Sequence, residues 1–431
     1  MASEWREVPL GQLCDFVAGC AFPKRAQGSS DGDYPFIKVS DMNLPGNERY
    51  ITVANNWISE TTLQELRAKL HPPGAIVFAK IGVALTYNRR RIIRQPTVID
   101  NNMMSAVPRK EEVDSLFLYY LLSTIDFNLI VSGTALPYLN ISDLKQIMVK
   151  IPSIDEQRAI AHILGTLDDK IELNRRMNRT LEAMARAIFK SWFVYFDPVR
   201  AKAEGRDPGL PKEIADLFPD EFEESEIGEI PKGWRPGTLG VIADNPRQAV
   251  KPDEIPPATP YIGLQHMPRR CIALDSWGRA DEVGSQKFQF KEGDILFGKL
   301  RPYFHKVGIA PTNGVCSTDI LVIVPKTNEW HSYVLSLVSS KSFVDYTDVN
   351  SSGTKMPRTN WKDMSRYSLA LPPVRLVRAF QDHVEVLHKR ITLNVRQNRR
   401  LTALRDTMLS KLLSGEFELN EDKAFKEISK C

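Results

Sequence analysis

Two stretches of this chain concentrate cations without a balancing acid. From Arg67 to Arg94 there are seven Lys or Arg residues and no Asp or Glu, including the run Arg89-Arg90-Arg91. Between Asp294 and Asp319 lie Lys299, Arg301, His305 and Lys306, again with no acid. One such run is ordinarily a solvated surface. Two, at related places, point to a polyanion, because Lys and Arg neutralise phosphates while Arg, Asn and Gln can also read base edges. The opposite charge gathers at 204–229, where ten acids face only Arg206 and Lys212.

Catalytic patterns are absent. No Gly-rich phosphate loop or clean Gly-x-Gly-x-x-Gly turn is present. The (Asp/Asn)-Pro-Pro-aromatic motif of amino-methyltransferases is missing; Pro72-Pro73 and Pro372-Pro373 lack its flanking residues. Nuclease-like acid-x-Lys triplets occur at Asp143-Leu144-Lys145, Asp168-Asp169-Lys170 and Glu421-Asp422-Lys423, but none follows a Pro-Asp at useful spacing. Seven histidines are scattered without a His-x-x-x-His pair, and five cysteines (Cys14, Cys20, Cys271, Cys316, Cys431) form no Cys-x-x-Cys, so no metal site and reduced thiols are expected. The chain reads as carrying no catalytic site and binding no cofactor of its own.

The elements that must position the cationic stretches are duplicated. Residues 167–193 and 387–413 align at an offset of 220 with no gap, identical at nine positions including Leu173/Leu393, Asn174/Asn394, Asn178/Asn398 and Leu181/Leu401. Upstream, 132–140 (SGTALPYLN) faces 352–360 (SGTKMPRTN), and 72–82 faces 291–301 at an offset of 219. A unit repeated once makes the protein two copies of one design. Each copy reads as mixed α/β: GAIVFAKIGVAL (74–85), GDILFGKL (293–300) and DILVIVP (319–325) are strand-like, whereas SLFLYYLLST (115–124) reads as a helix.

Each globular part is followed by a long helix. Ser153 and Glu156 form a capping box, and only Gly165 interrupts the chain before Pro198, which allows about 40 residues and a rod of roughly 60 Å. Apolar steps of four and three (Ile160, Leu164, Leu167, Ile171, then Leu181, Ala185, Ile188, Trp192) describe a coiled-coil seam, with Asn174 and Asn178 at its centre. The second helix repeats this from Phe380 to Leu412, with Asn394 and Asn398 central, Arg405 as an exception, and Gly415 as the stop. The two helices are expected to pack antiparallel on each other, the asparagines fixing spacer register, with a globular domain at each end related by a pseudo-twofold. Phe189, Trp192 and Phe193 exceed that seam and are read as a face for partners. The expected divisions are domains at 1–151 and 234–372, helices at 152–195 and 373–415, an acidic Pro/Gly-rich linker at 196–233 that is loop apart from a short helix near 211–218, and a tail at 416–431. Hydrophobic content of 42%, charge of 26% and the lack of a long apolar run describe a soluble, cytoplasmic protein with no membrane contact.

This layout resembles the specificity subunit of type I restriction–modification systems. The segment from Ile151 to Pro211 resembles that family's central conserved region, and Leu371 to Phe417 its C-terminal one. SGTALPYLN and SGTKMPRTN resemble its Ser-Gly-Thr…Pro…Asn signature, and GDILFGKLRPYFHKVGIA its Lys-x-Arg-Pro-Tyr loop, which the first copy lacks at KIGVALTYNRR. The resemblance implies two target recognition domains, each reading half of a bipartite, asymmetric double-stranded DNA site, and a helical spacer. It implies two modification subunits that methylate adenine N6 with S-adenosylmethionine and two restriction subunits that use ATP and Mg2+. Candidate DNA contacts are then Lys38, Lys80, Asn88, Arg89, Arg90, Asn102 and Thr134 in the first domain. In the second they are Gln265, His266, Lys299, Arg301, Tyr303, Lys306, Thr354, Lys355, Arg358 and Asn360. Gly133 and Gly353 are expected to serve backbone turns. The alternative is an autonomous sequence-specific DNA-binding regulator.

Overall fold

A computed structural model describes residues 5–414 apart from 134, 135 and 354. The chain divides into two compact units, residues 1–169 with 402–431, and residues 170–401. Each is mixed α/β and takes segments of both long helices.

In the first unit, Arg6–Pro9 pairs antiparallel with Met148–Ile151 and ties the start of the globular part to its end. Between them a five-stranded sheet runs Cys14–Ala18, Met103–Pro108, Ile76–Ala79, Arg90–Ile93, Tyr50–Ile51. The central strand Ile76–Ala79 is wholly buried, as a run of Ile-Val-Phe-Ala demands. A smaller three-stranded sheet pairs Tyr34–Ile37 antiparallel with Trp57–Ile58 and parallel with Val98–Ile99. The expected helix forms at Ser115–Thr124, its cap Asp114 accepting from the amides of Leu116 and Phe117.

The second unit repeats the plan. Arg235–Thr238 pairs antiparallel with Ser368–Leu371. Its buried strand Ile295–Gly298 lies between Ile320–Pro325 and Val307–Ile309. A five-stranded sheet completes it, with the parallel pairing of Pro260–Ile262 and Gly314–Cys316 answering that of Tyr34–Ile37 and Val98–Ile99.

Both long helices form, at Ile154–Phe193 and Val374–Leu413, each of 40 residues. Gly415 lies outside the described residues. Within the second unit the Asn174 amide donates to Asn398 Oδ1 and the Asn394 amide to Asn178 Oδ1, both at 2.8 Å. Partner numbers fall as residue numbers rise, so the pairing is antiparallel. All four asparagines are buried. Within the first unit the charged exception Arg405 bonds Asp168 Oδ1 at 2.7 Å, and the same carboxylate accepts from Tyr120 at 2.7 Å. Arg49 adds an ion pair to Asp168 and a hydrogen bond to the carbonyl of Gly165. A cation in the seam is thus matched to a buried anion that the globular part also grips.

Two expectations need correction. The segment 196–233 has its expected short helix, at Lys212–Ala215, but the rest is not loop: it adds the helix Asp197–Ala203 and the hairpin Phe222–Ser225 with Gly228–Pro231. Val199, Phe218 and Ile230 are buried, so scattered apolar residues anchor a chain whose composition is otherwise acidic. Phe189, Trp192 and Phe193 are likewise not a free face. They pack in the second unit's core against Phe218, Trp234, Tyr333 and Phe380, with ring centroids 4.9–6.1 Å apart.

Two stability predictions arise. Asn394→Leu strands the carboxamide of Asn178 away from water and should cost about 1–3 kcal/mol in chemical denaturation. His71 and His388 are buried and neutral, held by Ser105 and Ser332 respectively, and burial pushes them down to about 4 and about 3. The unfolded chain binds those protons near pH 6.5 while the folded one does not. Stability is therefore full above pH 6.5 and falls on acidification, by about 1.4 kcal/mol per pH unit per histidine. His388→Gln should flatten that acid dependence, read as melting temperature between pH 7.5 and pH 5.

Candidate nucleic-acid interface

The two basic stretches turn out to be one construction made twice. In the first unit the buried strand Ile76–Ala79 ends at Lys80, whose amide bonds the carbonyl of Asn102 at 2.8 Å. The chain then meets the Ser-Gly-Thr loop: the Gly82 amide donates to Pro137 at 2.8 Å and the Leu139 amide to Lys80 at 2.9 Å. Ser132 and Tyr138 exchange both backbone bonds and close that loop. In the second unit Lys299 donates to Asp319 at 2.9 Å, Arg301 to Pro357 at 2.7 Å and Thr359 to Lys299 at 3.0 Å, while Ser352 and Arg358 exchange both bonds. Five backbone hydrogen bonds recur one for one.

This geometry explains particular residue types. Gly133 and Gly353 open their loops with φ of 83° and 96°, and a Cβ on Gly133 would meet the carbonyl of Leu136 at 2.9 Å. At the turn after the lysine, Gly82 has φ 75°, and its counterpart Arg301 has φ 51°. A non-glycine residue there is strained and persists only where the surroundings hold it. Arg301 is held by its amide bond to Pro357, while its Nε is buried without a partner and Nη2 reaches the Lys355 carbonyl at 3.5 Å. The guanidinium is positioned but little neutralised.

Exposure separates the candidates. Arg89, Gln265, Tyr303, Lys355 and Arg358 face solvent, and Lys80, Lys299 and Arg301 are half-buried. Arg89 stacks on Tyr87 at 4.7 Å and hydrogen-bonds Asn43. Arg358 pairs with Asp319 at 3.4 Å. Burial pushes the Lys299 ammonium below its ordinary value, against the pull of Asp319. The His266 ring accepts at Nδ1 from the Gly263 amide at 3.0 Å, and burial lowers its basicity. Its proton therefore sits on Nε2 at neutral pH. Asn102 is exposed, its amide turned to Asp100 at 3.4 Å. Lys38 is half-buried over Phe22 and bonded to Gln27. Thr134 and Thr354 lie outside the described residues.

Four candidates are engaged in bonds within the protein. Arg90 is buried, its guanidinium 3.9 Å over Phe127 and donating to the Ile125 carbonyl at 2.6 Å, with burial lowering its pKa to about 10. Asn88 has φ 55° and both ends of its amide engaged, to Asp126 and from the Phe127 amide. Lys306 donates to the Leu264 carbonyl at 2.5 Å. Asn360 caps the short helix Trp361–Met364 and bonds Asp363 twice. A sequence shows the charge of Arg90 but not that strand alternation turns it inward. Tyr138 is also exposed at this loop, beside Gly133, and nothing in the Ser-Gly-Thr pattern singles it out.

The acid-x-Lys triplets do not assemble. Asp143 bonds Asn140 and Ser142, Asp168 belongs to the Arg405 cluster, and 421–423 lies outside the described residues. Among the described residues no group of three or more His, Cys, Asp or Glu is placed to hold a metal ion, and no helix is long and apolar enough to cross a membrane. Burial pushes the thiols of Cys14, Cys271 and Cys316 up to about 12, so they are protonated at neutral pH. What the loops offer is cationic, amide and aromatic groups on a rigid backbone, suited to recognition.

Comparison with known proteins agrees. Residues 2–183 match the model of the type I restriction modification DNA specificity domain. The chain is 26% identical over 439 residues to the type I restriction enzyme MjaIX specificity subunit of Methanocaldococcus jannaschii, covering 97% of this chain and 94% of the relative. It is 24% identical over 445 residues to the EcoDI specificity subunit of Escherichia coli, covering 96% and 88%. The crystal structure of the type I restriction–modification S subunit from M. genitalium shares the fold, with TM-score 0.55 and 17% identity over 95% of this chain and 96% of that one. The matched domain and the relatives that span both repeats make this chain similar to the specificity subunits of type I restriction–modification systems, and it shares the fold of a solved S subunit.

Proposed function

We propose that this chain selects the DNA on which a type I restriction–modification complex acts, each globular part reading one half of a bipartite, asymmetric site. The observation that carries this reading is the recurrence of five backbone hydrogen bonds that hold Lys80 and Lys299 against the two Ser-Gly-Thr loops. A scaffold kept while its exposed side chains differ suits a device that presents the same frame to two different sequences. Lys80, Lys299 and Lys355 contribute salt-dependent attraction to phosphates; Arg89, Arg301, Arg358 and Gln265 supply groups able to bond base edges.

In this reading the paired helices set the separation of the half-sites, and the asparagine layer holds their register. Two modification subunits, which use S-adenosylmethionine to methylate adenine N6, dock along the helices. Two restriction subunits, which use ATP and Mg2+, complete the nuclease, and this chain contributes no catalytic group. Support for docking comes from Leu173 and Leu393, identical at equivalent positions yet 53% and 55% exposed. They replace the aromatic cluster at Phe189 as the candidate partner face.

The test is sequencing of methylated bases in a methylation-free host that expresses this chain with its modification subunit. The expected result is one bipartite motif bearing N6-methyladenine in each half, with one half alone changing when residues 1–151 are exchanged for those of a related subunit. Methylation of a single continuous motif, or changes on both sides, contradicts the proposal. At the level of residues, Arg89→Ala and Arg358→Ala should each weaken binding to that motif about tenfold or more, with melting temperature unchanged. Arg90→Ala should instead lower stability by about 2–4 kcal/mol and leave the affinity of the folded fraction intact. Binding is read by titration of labelled duplex, stability by denaturation.

A further inference from the structure

Each unit also exposes apolar side chains at matching places around its basic loop. Leu129 and Val349, separated by the repeat offset of 220, are 83% and 84% exposed, and Leu136 and Met356, separated by the same offset, are 56% and 51% exposed. The short helical turn after the lysine adds exposed Val83 in Val83–Thr86 and exposed Tyr303 in Pro302–Phe304. These positions converge on one corner of each unit. In the first, the Gly82 amide bonds Pro137, Leu136 Cδ1 lies 3.7 Å from where a Cβ on Gly82 would stand, and Asn128 donates to the Thr86 carbonyl. In the second, the Arg301 amide bonds Pro357, and the helix Lys341–Val349 packs on the turn Pro302–Phe304.

Exposing three large apolar groups together is unfavourable, and it occurs in both copies at places where nothing in the unit's own core requires them. Their chemistry is constant while their identity changes: Leu becomes Met, Leu becomes Val, and the turn presents Val in one copy and Tyr in the other. On the helices the repeat does the opposite, keeping Leu173/Leu393 and Asn174/Asn394 unchanged. A pair of identical protein partners would offer both corners the same surface. An occupant that differs between corners, and that is drawn in by Arg89 on one side and Lys355 and Arg358 on the other, is duplex DNA with two unlike half-sites.

We propose that Leu136 with Val83 and Leu129, and Met356 with Tyr303 and Val349, are the apolar part of base reading, packing against thymine C5-methyl groups in the major groove. This rests on the DNA-reading function proposed above. It divides the labour within each corner: lysines anchor the backbone, arginines bond base edges, and the loop tip distinguishes thymine from the other bases by its methyl group.

The test selects bound duplexes from a randomised double-stranded library with the full chain in complex with its modification subunit. Leu136→Ser should erase preference at thymine positions in one half of the selected motif, and Met356→Ser in the other half, each with about a tenfold loss of affinity for the wild-type motif and an unchanged salt slope. Replacing those thymines by deoxyuridine should weaken the wild type but not the matching variant. Leu136→Met and Met356→Leu should keep the motif, which separates loss of apolar contact from loss of the loop. Serine variants that retain motif and affinity overturn the proposal, and if they then shed the modification subunit on gel filtration, the corner is a protein-docking surface. A wild-type complex that selects no motif overturns the DNA-reading function itself, an outcome distinct from failure of the apolar contact alone.

Discussion

Four buried carboxamides at the centre of the helix pair impose the constraint on which the architecture depends. Asn174 with Asn398, and Asn178 with Asn394, find partners in one alignment only. Sliding either helix by a turn would leave two of the four facing apolar seam residues such as Ile171 or Leu401, each unmade bond costing about 1–3 kcal/mol. Apolar seams alone are forgiving of slippage, since one leucine resembles the next. The polar layer gives up some stability and in return admits a single register. Within the first unit an ionic cluster of Asp168 with Arg405, Arg49 and Tyr120 ties the second long helix to the first and to the globular part.

Against that fixed element the two Ser-Gly-Thr loops show how variation is contained. Their backbone ladders are the same in both units, so the tips are carried on equivalent frames despite different side chains. Where the first copy has Gly82 the second has Arg301 in the left-handed region, a substitution that the surrounding bonds tolerate. The scaffold thus absorbs a change of chemistry without a change of route.

The long helices, their register and the duplicated α/β plan were legible because they rest on periodicity, capping and self-similarity, all local signals that survive divergence. The segment 196–233 was not. Its acids and prolines mask three apolar anchors, and whether Phe218 or Ile230 is buried depends on Trp192 and other residues distant in sequence. Arg90 failed for a related reason: charge is visible in a sequence, but the inward side of a strand is set by its neighbours. Arg405 stood out as a defect in the seam, while its partner Asp168 lay hidden among surface-like triplets. The cationic loops were found from composition, whereas the exposed apolar corners beside them needed three-dimensional placement.

The central claim is that the asparagine layer fixes how far apart two independent readings are taken. The most direct measurement is the methylated motif produced when Asn174, Asn178, Asn394 and Asn398 are all replaced by leucine. The account predicts the same two half-sequences, now joined by more than one spacer length. A variant that remains folded and active with a single, unchanged spacing would contradict it.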